Sequence, residues 1–291
     1  MIKKTKFGPK FGVADVIIYF LLGLFALITL YPFIYVLAGS FSDGNDFALG
    51  GIWILPRIWS VVNYQIVLSD DRLWFSLMNT VIITVTVTTL ALLLTSLVAY
   101  ALSKPELKCR KFFQYFNLFT MFFSGGLIPY FIVMVLLGLY NNYLIYIIPR
   151  VYSVYNMIVI SSFFKGLPNE LRESMLIDGA CETRIWFSLY IPLSTPVLAT
   201  VGLWVATGTW NNYFTTMMYT MGQKELMTLQ YFMMKLIKEA NVVNGDIPIE
   251  EVNSQTVSFA AMVLSSLPII AVFPFVQKYF AKGITIGAVK G

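Results

Sequence analysis

Six stretches of this chain run without a single Asp, Glu, Lys or Arg: 16–42, 73–103, 112–149, 151–164, 185–223 and 252–277. A helix that crosses a bilayer needs about 20 apolar residues, and most of these runs are long enough for one crossing. The 112–149 run holds 38 residues, too many for one helix and nearly enough for two. Its middle reads Gly138-Leu139-Tyr140-Asn141-Asn142, which marks a tight turn. The pattern therefore predicts six helices, over 14–39, 75–101, 113–137, 143–164, 196–220 and 255–277. The run from 185 is only partly spanning, because Pro192 and Pro196 punctuate its start. The expected fold class is an all-α membrane protein with six transmembrane helices. With no clear internal repeat, 1–291 reads as one domain.

Composition narrows the function. Hydrophobic residues make up 58% and charged residues 12%, against about 45–50% and about 25% in soluble domains. Such a chain cannot dress a water-facing surface, which excludes an ordinary soluble enzyme and a disordered chain. The net charge of +5 is scattered between apolar runs, as in membrane loops, and points to the lipid bilayer and not to nucleic acid. There are no histidines, which argues against a His metal site, a His proton relay and a Ser-His pair. The spans carry no acidic cluster either, so no catalytic and no metal-ligating residues are assigned. Cys109 and Cys181 stand far apart, in no ligand spacing.

Basic residues set the orientation. With the N-terminus inside, the cytoplasmic segments hold Lys3, Lys4, Lys6, Lys10, Lys104, Lys108, Arg110, Lys111, Lys165, Arg172, Arg184, Lys278, Lys282 and Lys290. The external segments hold only Arg57, Arg72, Lys224, Lys235 and Lys238. Both termini and both cysteines are thus expected in the cytoplasm. No Ala-x-Ala-like cleavage site follows the first span, which reads as a retained helix. The external loops fall at about 40–74 and 221–254, the first flanked by Trp53, Trp59, Tyr64 and Trp74, residue types common at bilayer interfaces.

The cytoplasmic segment 165–196 is unusual. Pro168 and Glu170 suit the first turn of a helix, and Leu171, Ser174, Met175 and Asp178 fall at i, i+3, i+4 and i+7. Gly179 supplies a flexible joint, and a second amphipathic segment, 181–190, carries Ile185, Trp186 and Leu189 until Pro192 and Pro196 end it. A helix-Gly-helix here is either a hairpin at the headgroups or a docking element for a soluble partner.

The string Glu173-x4-Asp178-Gly179-Ala180-x11-Pro192-x3-Pro196 closely resembles the "EAA" loop of ATP-binding-cassette importer permeases. It departs at Ser174 and Met175, where that family prefers alanines, and at Ile191, where it prefers leucine. Phe122-Phe123-Ser124-Gly125-Gly126-Leu127-Ile128-Pro129, Pro274-Phe275-x-Gln277-Lys278-Tyr279-Phe280 and the tail to Gly291 resemble the second permease subunit of oligosaccharide importers, the carbohydrate-uptake branch. The resemblance implies a type I importer permease in a bacterial plasma membrane that does no covalent chemistry. It implies as partners a homologous first permease, two cytoplasmic ATPases, an external solute-binding lipoprotein and an oligosaccharide. The chain itself would bind no cofactor; ATP and Mg would sit on the ATPases. It further implies that Leu171, Glu173, Met175, Asp178, Gly179 and Ala180 seat the coupling loop on the ATPase. A permease for another polar solute, such as an amino acid or a phosphonate, is the alternative. A passive channel leaves the Asp178-Gly179-Ala180 loop unexplained.

Candidate residues for the solute path are polar or aromatic groups at membrane depth. Helix 5 offers Trp210, Asn211, Asn212 and Tyr213 among threonines, and the family carries a similar Trp-Asn string. These residues line a cavity or glue helices together. Gly125 and Gly126 before Pro129 predict an unwound or kinked turn, tolerated where it is buried or lines water. Tyr152 and Asn156 are four apart, on one face of helix 4. Arg150, after Pro149 and within helix 4, either snorkels to the headgroups or faces the path, where its planar fork suits a carboxylate.

Overall fold

The computed structural model describes residues 12–220, 223–243 and 253–288. Lys3, Lys4, Lys6, Lys10, Lys290 and the end of the tail, 289–291, lie outside the described residues. Among the described residues every regular element is a helix, with one isolated bridge between Ser42 and Trp59. Three helices are long and apolar enough to cross a bilayer unbroken, and three further pairs qualify if each bent pair counts as one span. The architecture is that of an all-α membrane protein with up to six spans.

Helix α1 covers Val13–Ser40 and α2 covers Asp71–Ser103. Each carries an acidic residue at its N-terminal end, where the exposed amides favour negative charge: Asp15 in the first turn of α1 accepts from the Gly12 amide at 2.8 Å, and Asp70, the cap of α2, from the Arg72 amide at 2.9 Å. The third span is broken into α3, Arg110–Phe122, and α4, Leu127–Leu136, which meet at 114°. Gly126 sits at φ 84°, ψ 179°, a region essentially restricted to glycine, so the expected kink is a full break.

The fourth span is not the continuous helix expected over 143–164. It opens with two 3-10 turns, Tyr143–Tyr146 and Ile148–Arg150, and restarts at a 43° bend as α5, Val154–Lys165. Pro149 lacks the amide an α-helix needs, and Ser153 caps a new start by accepting from the Asn156 amide. Tyr152 lies before that cap, so it does not share a helical face with Asn156. Next comes α6, Asn169–Ile177. Helical turns then run over Glu182–Leu193 through Pro192, and the chain bends by 84° only at Ser194, before α7, Thr195–Trp210. The fifth span is interrupted at 211–213 and resumes as α8, Phe214–Tyr219.

Within the expected external loop lies a helix that hydropathy did not predict, α9, Leu229–Val243. Its Leu229, Phe232 and Met233 are buried at i, i+3 and i+4. The last helix, α10, runs over Ser254–Ala288.

Contacts divide the chain into two compact units. One joins the residues up to Ser69 with Leu236–Leu264. Its anchor is Asn63, which donates to the Ser40 and Ser42 carbonyls at 3.1 and 2.8 Å and accepts from Thr256 at 2.9 Å. Phe259 meets Phe47 edge-on at 5.7 Å. The other unit joins Asp70–Lys235 with the residues from Ser265. There α2 packs along α5 and α7 around Ala99, Ile160, Phe164, Ile185, Tyr190 and Val201, all buried.

Candidate functional site

Interruptions in three spans meet at one cavity of about 540 Å³. It is lined by the start of α4, the second 3-10 turn, the 211–213 break and α8. Tyr146 holds these parts together. Its hydroxyl bonds Thr216 at 2.9 Å and Thr220 at 3.1 Å and donates to the Leu226 carbonyl at 2.7 Å. That fixes the 3-10 turns against α8 and places Arg150 at the cavity wall. Arg150 Nη1 donates to the Gly208 carbonyl at 3.3 Å, one of the carbonyls left open at the end of α7. Asn211 Oδ1 accepts from Gln230 Nε2 at 3.4 Å, and Asn212 Oδ1 accepts from the Thr215 amide at 2.9 Å. The second of these bonds ties Asn212 to the first turn of α8.

Of the proposed path residues, Arg150, Asn211, Asn212 and Tyr213 share this cavity. Gly125 and Gly126 line a neighbouring cavity of about 720 Å³ that shares Leu127 and Tyr130 with the first. Three line neither. Trp210 is buried and donates to the Ser265 carbonyl at 3.1 Å. Tyr152 donates to Asn117 at 2.5 Å, and Asn156 is buried in α5. Tyr130 and Tyr219 line the main cavity unforeseen. Tyr130 directly follows the Gly-Gly-Leu-Ile-Pro string, which is a readable signal; Tyr219 arrives only through tertiary packing.

The coupling loop has its own geometry. Asp178 ends α6, Gly179 follows at φ 77°, the Gly179 amide donates to Leu176 O at 3.0 Å and the Ala180 amide to Met175 O at 2.9 Å. This is a Schellman cap. The Asp-Gly-Ala string is thus a helix stop with a left-handed glycine, not the flexible joint expected, and Asp178 leaves the helical face. Met175 and Ala180 each pack against the α2–α5–α7 core. Leu171, Glu173, Asp178 and Gly179 are exposed. So is Ile177, at 86% the most exposed apolar side chain of the loop; it fits no periodic pattern and was not foreseen.

Charge ties α6 to the end of α2. Arg172 pairs with Glu106 at 3.2 Å and with Glu182 at 2.5 Å, and Glu182 also accepts from the Tyr100 hydroxyl. The hydrogen bond that Arg172 donates to Glu182 makes the guanidinium hold its proton more firmly than usual. Beside it, Lys104 Nζ donates to Tyr190 at 2.6 Å and lies 4.1 and 4.4 Å from the Tyr190 and Tyr100 ring centroids. Burial pulls the Lys104 ammonium down to about 8. The Arg172 charge pulls the same way, and Glu182 and Glu106 oppose it.

Comparison with known proteins agrees with these features. The pattern of the family described as "Binding-protein-dependent transport system inner membrane component" matches residues 72–286. The chain is 36% identical to the polygalacturonan/rhamnogalacturonan transport system permease protein YtcP of Bacillus subtilis, over 95% of this chain and 98% of that one. It is 37% identical to protein LplC of the same organism, over 99% and 97%. A crystal structure of a bacterial ABC transporter involved in importing the acidic polysaccharide alginate superposes with a TM-score of 0.83 at 33% identity, covering 94% of this chain and 100% of that chain.

Proposed function

The chain belongs to the family of binding-protein-dependent transport system inner membrane components, and from that premise we propose that it is the permease half of an ATP-driven oligosaccharide importer. The saccharides named for its relatives support sugar over an amino acid or a phosphonate. In this reading the chain lines the path with the cavity at Arg150, Asn211, Asn212 and Tyr213, beside a homologous first permease. A solute-binding lipoprotein delivers the sugar outside, and two ATPases bind inside, where both termini lie. The 165–196 loop within the single 1–291 permease domain is the coupling element. It seats on the ATPase through Leu171, Glu173, Ile177 and Asp178, while Met175 and Ala180 secure it to the permease core. Arg172 carries its movement through Glu106 and Glu182 to the end of α2. ATP and Mg reside on the ATPases, and this chain contributes no catalytic residue.

The observation that carries the proposal is the capped end of α6, which holds a bare apolar side chain outward beside an exposed carboxylate. Its test uses proteoliposomes of the assembled transporter with labelled oligosaccharide. No atom lies within 4 Å of a Cβ built on Gly179, so substitution there costs backbone strain, about 1–2 kcal/mol for an ordinary residue and less for Asn. Gly179→Asn is expected to transport near the wild-type rate. Gly179→Leu is expected to insert normally but to hydrolyse several-fold more ATP per sugar moved. Equal coupling in the two variants would remove the loop from the mechanism.

A further inference from the structure

The cavity at the 211–213 break is unbalanced in its hydrogen bonding. Among the described residues no Asp or Glu lines it. The carboxamide oxygens of Asn211 and Asn212 are taken by Gln230 and the Thr215 amide, and the Gly208 carbonyl is taken by Arg150. Towards the space remain the donor-only carboxamide NH2 groups of Asn211 and Asn212 and the Arg150 N–H groups not spent on Gly208, beside the Thr215 hydroxyl, which donates or accepts. The Tyr219 hydroxyl adds to them; Tyr219 is 4% exposed, lines the cavity, and its oxygen is buried without a partner. Tyr130 and Tyr213 add two further hydroxyls. The tyrosine hydroxyls can donate or accept and suit neutral sugar as well, but a neutral sugar would leave the Arg150 charge uncompensated. An ionised carboxylate is acceptor-only, with about four lone-pair sites.

Arg150 sharpens the argument. Among the described residues it has no carboxylate partner; its one bond is to the Gly208 carbonyl. A cation inside a spanning segment is costly unless it is paired or meets water. Here it is neither snorkelled away from the cavity nor neutralised, because the Gly208 contact pins one arm of the fork and leaves the others at the cavity wall. The guanidinium plane offers two parallel N–H bonds to a carboxylate, each shorter and stronger than a neutral bond.

We infer that this cavity is a carboxylate-reading subsite, in which Arg150 takes the carboxylate of an acidic oligosaccharide and Asn211, Asn212 and Tyr219 complete its acceptor demand. The inference rests on the reading of the chain as a saccharide permease, and it adds selection for uronate-bearing substrates within the membrane. Tyr130 and Tyr213 then face the sugar rings. Arg150 is a specificity residue whose loss costs recognition of the charge and not of the sugar backbone.

The test pairs labelled trigalacturonate with its carboxyl-reduced, neutral counterpart. Uptake is measured in proteoliposomes of the assembled transporter with its binding protein, each sugar at a saturating concentration. Wild type, Arg150→Gln and Arg150→Lys are compared at matched amount and with melting temperature recorded. Arg150→Gln is expected to lower the ratio of trigalacturonate to neutral-sugar uptake about tenfold or more, the loss of one charge-assisted pair. Arg150→Lys, which keeps a point charge without the fork, should recover part of the loss. If the wild type carries only the acidic sugar, loss in Arg150→Gln with partial recovery in Arg150→Lys at an unchanged melting temperature supports the inference. Equal effects on both sugars, no effect on the acidic one, or wild-type preference for the neutral one overturns it and leaves the permease reading standing. Failure of the wild type to move either sugar overturns both.

Discussion

Lys104 shows how one side chain reports on the loop junction. Its ammonium is enclosed by the Tyr100 and Tyr190 rings, with Arg172 adding a like charge and Glu106 and Glu182 opposite ones. The folded chain gives up the proton near 8, whereas the unfolded chain keeps it to 10.5. Between those values the unfolded state binds more protons, so stability rises with pH across that window and the burial penalty is fully present below it. Melting temperatures of detergent-solubilised protein from pH 7.5 to 10 should therefore climb more in the wild type than in Lys104→Met. Parallel curves would mean that Lys104 is hydrated in the fold. None of this could be read from residue 104 alone. Its partners Tyr190 and Glu182 stand about 80 positions away, and only α2 packing on the turns after Gly179 brings them in. Gly179, by contrast, was identifiable from its neighbours; what escaped was that its positive φ locks a cap and does not loosen a joint.

Among the elements, the interruptions matter more than the helices. The α3–α4 break depends on Gly126, whose backbone lies where a Cβ is not tolerated, whereas the nearest atom to a Cβ on Gly125 is Pro129 Cβ at an ordinary 3.6 Å. Gly126→Ala should cost about 1–3 kcal/mol, read as a lower melting temperature and reduced uptake, and Gly125→Ala should cost well under that. A reversed order would show that the break is held by packing and not by dihedral preference. Adjacent glycines before Pro129 made this break readable. The breaks at 151–153 and 211–213 were not, because hydropathy does not see capping. Ser153 caps α5 and Asn212 holds the first turn of α8, with a single side-chain bond each. Helix α9 was missed because its charges suggested a loop, although Leu229, Phe232 and Met233 carried the helical period.

Across the whole chain, the count of uncharged runs was sufficient to find six spans, since bilayer thickness constrains length more tightly than packing does. Orientation rests on the distribution of Lys and Arg, and it has a direct check. Cys109 and Cys181 are both exposed. In intact cells a membrane-permeant thiol reagent should label both, and an impermeant one neither. Impermeant labelling of either would invert the proposed topology and move the coupling loop outside. The solute cavity was legible only in part. Arg150, Asn211, Asn212 and Tyr213 stood out as polar residues at depth, yet Trp210 looked equivalent to them and instead spends its indole on Ser265. Those four cavity residues share a further property: all lie outside the α-helices, in a 3-10 turn or in the 211–213 break. Their replacement leaves the backbone bonds within the α-helices in place and removes from the backbone at the helix ends only the side-chain bonds of Asn212 to α8 and of Arg150 to α7. The groups that choose a cargo are thereby uncoupled from the groups that satisfy the lipid, and such a scaffold can change its diet by small steps without being re-engineered to stay in the membrane.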